Sequence, residues 1–204
     1  MEPLILHEYA RSGNCYKIRL TAAHVGARLE RREYDIMQGE TRTPDFLARI
    51  NGNGRIPVLQ VGDRYLPESN AVCWFLATGT DLIPRDPFDQ ADVLRWMFWE
   101  QYNHEPTIAT LRFWLYFIGE ANLNEVQLAQ LPGKRATGEA ALALMDEHLT
   151  GRDWFVGEAV SLADIALYAY THVSEAGGFR LRDFGHVCAW LKRVAALPGY
   201  VAMG

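Results

Sequence analysis

Two rhythms of apolar and polar residues divide this chain. Over residues 1–78 the spacing switches repeatedly between strand-like and helical. Leu4 to Tyr9 is an apolar run of strand length, and Cys15 to Val25 sets Ile18, Leu20, Ala22 and Val25 along a helix. Leu29 to Asp35 alternates through Leu29, Arg31 and Glu33, which predicts a second strand. Thr43-Pro44-Asp45 opens a short helix, with Thr43 as N-cap and Pro44 at the first helical position, where no N–H is needed. Pro57 to Val61 and Arg64 to Leu66 flank the turn pair Gly62-Asp63 and predict a hairpin. Ser69 to Thr78 closes this part as a helix, stopped by Gly79. The order predicts an α/β domain, a small mixed sheet covered by helices.

From Gly79 the pattern changes. "GTDLIPRDPFD" carries two prolines among turn residues and reads as a linker over residues 79–88. Residues 89–204 then read as all helix. Asp89 is the expected cap of a long aromatic helix that Pro106 should kink or divide. A second helical stretch runs from Asn124 to Leu149, with an interruption expected near Pro132-Gly133. A third starts at "VSLADIALYAY". There Ser161 and Asp164 form a capping box, and Val160 and Ile165 sit at the positions of a hydrophobic staple, a folding signal rather than a catalytic one. His186 to Ala196 is the last helix, ended by Leu197-Pro198-Gly199.

Composition narrows the function classes. A net charge of -5 and a pI near 5.7 argue against a nucleic-acid partner, which needs a basic stripe. Three scattered cysteines fit a reducing cytoplasm better than a disulfide framework. Met1-Glu2-Pro3 has no basic n-region ahead of an apolar run, so no secretory signal is expected; the most apolar stretch, Ile108 to Ile118, is short and contains Arg112, so no membrane span is expected. The six histidines are isolated, and no metal site is expected.

"RSGNCYKIRL", from Arg11 to Leu20, holds the most informative chemistry. A helix starting near a cysteine directly after a strand is where redox proteins keep a Cys-x-x-Cys pair, but Ser12 stands here in place of the first cysteine. Together with "GRIPVL" at Gly54 to Leu59, Glu68-Ser69 opening the next helix, and the Ser161/Asp164 box in an all-helical second half, this Ser-x-x-Cys start resembles a cytosolic glutathione transferase. "SGNCYK" is similar to a bacterial branch that shares features with the theta-like and Nu-like classes. The resemblance covers essentially the whole chain. It implies a thioredoxin-like N-terminal domain, an all-helical C-terminal domain, glutathione as co-substrate and a homodimer.

The resemblance also implies a set of site residues, each of which suits its task chemically. Ile56 would pair its backbone with the cysteinyl residue of glutathione across a cis Ile56-Pro57 turn. Ser69, at a helix N-terminus, suits the γ-glutamyl carboxylate, and Glu68 suits the ammonium. Arg55 and Gln38 are candidates for the glycyl carboxylate, Gln38 being equally readable as a solvated loop residue.

Three residues compete to activate the thiol: Ser12 as in theta-like relatives, Asn14 as in Nu-like relatives, and Cys15 near the cysteine of beta-like ones, which can form a mixed disulfide. The electrophile is expected against a stripe of the long helix holding Phe98, Tyr102, Glu105, Ala109, Arg112 and Tyr116, with Tyr102, Glu105 and Arg112 as pocket candidates; a core or dimer contact reads as well. The expected activity is addition of the glutathione thiolate to small hydrophobic electrophiles. The alternatives are peroxide or disulfide reduction through Cys15 and a non-catalytic binding module.

Overall fold

The computed structural model describes residues 2–203. Two units separate between Ile83 and Pro84, inside the predicted linker. Residues 198–203, however, belong to the first unit rather than the second, which corrects the expected uninterrupted second domain. The physical reason is local docking: the buried Tyr16 donates its hydroxyl to the Val201 carbonyl at 2.7 Å.

In the first unit, strands β1 (Leu4–Glu8), β2 (Leu29–Glu33), β3 (Val58–Val61) and β4 (Arg64–Pro67) form one sheet in the order β2-β1-β3-β4. β1 runs parallel to β2 and antiparallel to β3, and β3 is antiparallel to β4. Central β1 is buried along nearly its whole length, whereas β2 lies at an edge and is mostly exposed and charged, which discourages further strand pairing.

Helices α1 (Gly13–Val25), α2 (Pro44–Arg49) and α3 (Ser69–Ala77) complete this unit, with α1 packed on α3. Gly26 ends α1 in the left-handed region at φ 70, which lets its N–H turn back to the last carbonyls. Thr43 caps α2 as expected, accepting from Phe46 N–H at 3.3 Å. The core gathers Leu6, Tyr16, Ile18, Leu20, Leu59 and Val72.

The second unit is helical: α4 (Pro87–Trp99), α5 (Glu105–Arg112), α6 (Glu125–His148), α7 (Leu162–Thr171) and α8 (Gly185–Ala195). Asp86, not Asp89, caps α4, because Pro87 fits the first helical position and moves the start forward. Pro106 divides the long helix as expected. A π-helical turn, Glu100–His104, precedes α5, and a second, Phe113–Ile118, follows it. The interruption expected near Pro132-Gly133 is absent, and α6 runs through both residues. Both are exposed there, so water can serve the carbonyl that proline leaves without an N–H.

The Ser161/Asp164 box is complete and reaches further than a cap. The fully buried Asp164 accepts from Ser161 N–H (2.9 Å), Ser161 hydroxyl (3.1 Å), Phe155 N–H (3.1 Å) and Trp190 Nε1–H (2.9 Å). One carboxylate thereby ties α7 to α8 and to the loop before α7. Around it Trp96, Phe155, Tyr168 and Trp190 pack in edge contacts. No helix among the described residues is long and apolar enough to cross a membrane.

Candidate functional site in the first unit

The sheet register brings three turns to one end of the first unit. Val58 lies opposite His7 and opposite Pro67. One step further, Pro57 therefore faces both Glu8, where β1 gives way to the loop before α1, and Glu68, where β4 gives way to α3. The Ile56–Pro57 peptide in that row is cis. Residues far apart in sequence thus meet because two strand pairings share β3.

Ser12 is the N-cap of α1: its Oγ accepts from Cys15 N–H at 3.4 Å, and its own N–H donates to Tyr9 O at 2.9 Å. The cap occupies an oxygen lone pair, and the hydroxyl proton remains a donor. Asn14, half-buried on the same turn, accepts the Ser69 hydroxyl at 3.2 Å through Oδ1. That bond joins the N-termini of α1 and α3, two helix ends that both favour negative charge. Ser69 is buried, and the exposed Glu68 before it holds φ 71, ψ 109. It is the one non-glycine with positive φ among the described residues, a backbone state that surrounding structure must enforce and that clusters at binding sites.

Cys15, one of the three candidates for activating the thiol, lies beneath the helix start. The side chain is fully buried, its sulfur accepts Tyr9 N–H at 3.4 Å, and burial pushes the thiol up to about 12. At neutral pH such a group is a thiol packed under the helix start, not a thiolate facing a ligand.

The remaining candidates of this unit are more peripheral. Arg55 is exposed, and its carbonyl accepts from Asn51 Nδ2 at 2.9 Å. Gln38 is exposed in the 3₁₀ turn Ile36–Gln38, its N–H turned to Asp35 Oδ1 at 3.3 Å; no bond ties it to the three converging turns.

In the second unit, the expected stripe of Tyr102, Glu105 and Arg112 does not form. Tyr102 is 84% exposed, whereas Arg112 is 7% exposed and lies over the rings of Tyr116 and Phe117. Glu105 is half-buried at the start of α5. The cause is the π turn at Glu100–His104: each i→i+5 bond adds a residue to the turn, so a wheel of 3.6 residues per turn loses its phase there. No group of His, Cys, Asp or Glu among the described residues could hold a metal ion.

Sequence reasoning missed the residues that hold the loop carrying Ser12. Glu8 is fully buried and pairs with Arg19 at 3.1 Å and with Arg31. Arg19 also donates to Ala10 O at 2.7 Å, and Glu33 accepts Ala10 N–H at 2.7 Å. Nothing in their spacing marks them, since they are drawn from β1, α1 and β2.

Comparison with known proteins agrees along the whole chain. The family described as glutathione S-transferase, N-terminal domain, matches residues 2–78, and that described as glutathione S-transferase, C-terminal domain, matches residues 104–198. A solved glutathione S-transferase from Pseudomonas fluorescens is 42% identical, with 98% of each chain covered and a TM-score of 0.93. A possible glutathione S-transferase from Rhodopseudomonas palustris is 44% identical, covering 98% of this chain and 89% of that one, with a TM-score of 0.92. The glutathione S-transferase-like protein LUC7 of a Fusarium species is 28% identical over 92% of this chain and 86% of its own length.

Proposed function

This chain belongs to the glutathione S-transferase family as an enzyme, and we propose that it adds the thiolate of glutathione, held by Ser12, to small hydrophobic electrophiles. The observation that carries this reading is the Ser69–Asn14 hydrogen bond, which joins two helix N-termini beside a serine hydroxyl with a proton to donate. A tripeptide with a carboxylate at one end and a thiol in the middle matches that pair of anion-favouring positions. Ser69 and the start of α3 take the γ-glutamyl carboxylate, Glu68 takes the ammonium, and Ile56 pairs its backbone with the cysteinyl residue. Arg55 and Gln38 are left for the glycyl carboxylate, where exposure suits a charge that stays partly in water.

The mechanism asks little of the protein. A free thiol with a pKa of about 8.5 is only a few per cent ionised at neutral pH, and lowering that value by two units is worth about 2.7 kcal/mol. The Ser12 hydroxyl donating to sulfur, with the N-terminus of α1 nearby, supplies an effect of that size. Asn14 acts through Ser69. The burial of Cys15 disfavours peroxide or disulfide reduction by the protein's own sulfur. Ser12 and Asn14 together support placement near the theta-like and Nu-like classes.

A cytoplasmic homodimer completes the reading. Phe98 and Tyr102 are 69% and 84% exposed, which suits a face covered by a second copy. Retention on immobilised glutathione, followed by conjugation of an activated aryl halide with saturation in both substrates, tests the activity. Ser69→Ala should raise KM for glutathione about tenfold, the loss of one hydrogen bond to a charged group. No retention and no turnover would reject the reading.

A further inference from the structure

The loop Tyr9–Ser12 between β1 and α1 is held in an unusual way. Its central Ala10 has both backbone polar groups bound by charged side chains from two other elements. Arg19, on α1, gives one guanidinium nitrogen to Ala10 O at 2.7 Å and another to Glu8 at 3.1 Å. Glu33, at the end of β2, takes Ala10 N–H at 2.7 Å. Arg19 is itself almost fully buried against Glu8, whose other oxygen meets Arg31, so the guanidinium has little freedom to move. Downstream, Ser12 N–H returns to Tyr9 O at 2.9 Å, closing the loop onto the helix start.

We infer that Arg19 and Glu33 are positioning residues for the thiol chemistry, clamping Ala10 from both sides so that the Ser12 hydroxyl is held where it donates to the sulfur of glutathione. This rests on the reading of Ser12 given above. Hydrogen-bond stabilisation of an anion falls off steeply with donor distance and angle, so a loop that drifts by a fraction of an ångström loses much of it. An ordinary loop of four residues has no need of two ions and a buried carboxylate to fix one alanine. A guanidinium also suits the task better than an ammonium, since its planar fork spans Glu8 and Ala10 O together.

The exposed Glu33 permits a test that leaves the core untouched. In Glu33→Ala the apparent pKa of enzyme-bound glutathione, read from thiolate absorbance and from the pH profile of kcat/KM, should rise by about one unit, a tenfold loss of rate at neutral pH. Binding of S-methylglutathione, which has no thiol to ionise, should change less than twofold. Glu33→Gln keeps an acceptor oxygen and should restore most of the wild-type profile. In a Ser12→Ala background Glu33→Ala should have no further effect on the thiol, because the donor it positions is gone.

Arg19→Lys should resemble Glu33→Ala if it folds. A thiol pKa unmoved by Glu33→Ala, or an equal shift in the Ser12→Ala background, would overturn the clamp. If wild-type enzyme fails to lower the thiol pKa below that of free glutathione, the Ser12 reading itself is wrong, and the two failures are told apart by that control.

Discussion

Two helices in this molecule begin with a capping serine, and they use it in opposite ways. Ser161 opens α7 as Ser-Leu-Ala-Asp, and Asp164 at the third helical position returns two bonds to it and two more to Phe155 and Trp190. Ser12 opens α1 as Ser-Gly-Asn-Cys, and its third position is Cys15, whose sulfur turns to Tyr9 instead. At α7 the serine proton is consumed inside the fold. At α1 it is not, and Ser12 is only half-buried. The same cap is closed into a structural knot when a carboxylate sits three residues on, and left with a donor facing outward when a thiol does.

The largest effect should come from cutting the knot. Asp164→Ala leaves four donors without their shared acceptor in a fully buried place, and the expected loss is about 3–5 kcal/mol, visible in urea denaturation. Glutathione turnover per folded molecule should be unchanged. A mild loss would mean that water enters and replaces the carboxylate.

The same group predicts a pH dependence. Burial pushes the Asp164 carboxyl from 3.8 up to about 6, with the hydrogen bonds from Ser161, Trp190 and Phe155 pulling the other way. The folded chain therefore holds this proton more tightly than the unfolded chain. Its stabilising contribution is fully present below about pH 4 and is lost as pH rises through about 6, by a few kcal/mol at most. Measured against Asp164→Asn, which does not titrate, wild-type stability should decline between those limits; a difference that stays flat or grows would reverse the assignment.

Much of this contrast could be read in the sequence, because a cap is local. Thr43, Ser69, Asn124 and Ser161 all stand at helix starts that spacing and side-chain type announce, and the α/β-then-α order followed from the change in period. What resisted reading depends on tertiary context. The first part of α1 is buried on all sides, Lys17 and Arg19 included, so its apolar pattern could not tell whether Cys15 faced a ligand or the core. The π turn at Glu100–His104 shifts the helical phase and leaves no compositional mark, which is why Tyr102 and Arg112 differ in exposure where a regular wheel aligns them. The return of residues 198–203 to the first unit is a contact across 185 positions, with Tyr16 donating its hydroxyl to the Val201 carbonyl, and no local pattern announces it.

Exchanging alanine for the two serines sharpens the contrast with smaller effects. Ser12→Ala should lower conjugation at neutral pH by one to two orders of magnitude, about 1.4–2.7 kcal/mol, and recover much of it at alkaline pH, where glutathione ionises unaided. Ser161→Ala should leave the rate alone and cost about 1–2 kcal/mol of stability through the lost cap. A Ser161→Ala enzyme with an altered pH profile would show that the two helix starts are coupled rather than independent.

The smallest effect is expected at Cys15, and it decides whose sulfur matters. The thiol is fully buried and pushed up to about 12, so at neutral pH it stays protonated. Cys15→Ala empties a space close to one methylene and removes the acceptor of Tyr9 N–H, a loss of about 1 kcal/mol in stability. Conjugation should stay within about twofold of wild type, since removing a packed neutral atom changes neither the Ser12 donor nor the charge around it. Native protein incubated with oxidised glutathione should show no mass increase at Cys15, while protein held in denaturant should acquire one, because only unfolding brings the sulfur to solvent. An adduct on the native protein, together with lost turnover in Cys15→Ala, would mean that the start of α1 opens far enough to expose its own sulfur. The contrast with α7 would then lie in how easily the two helix starts open, not in how each spends its serine proton.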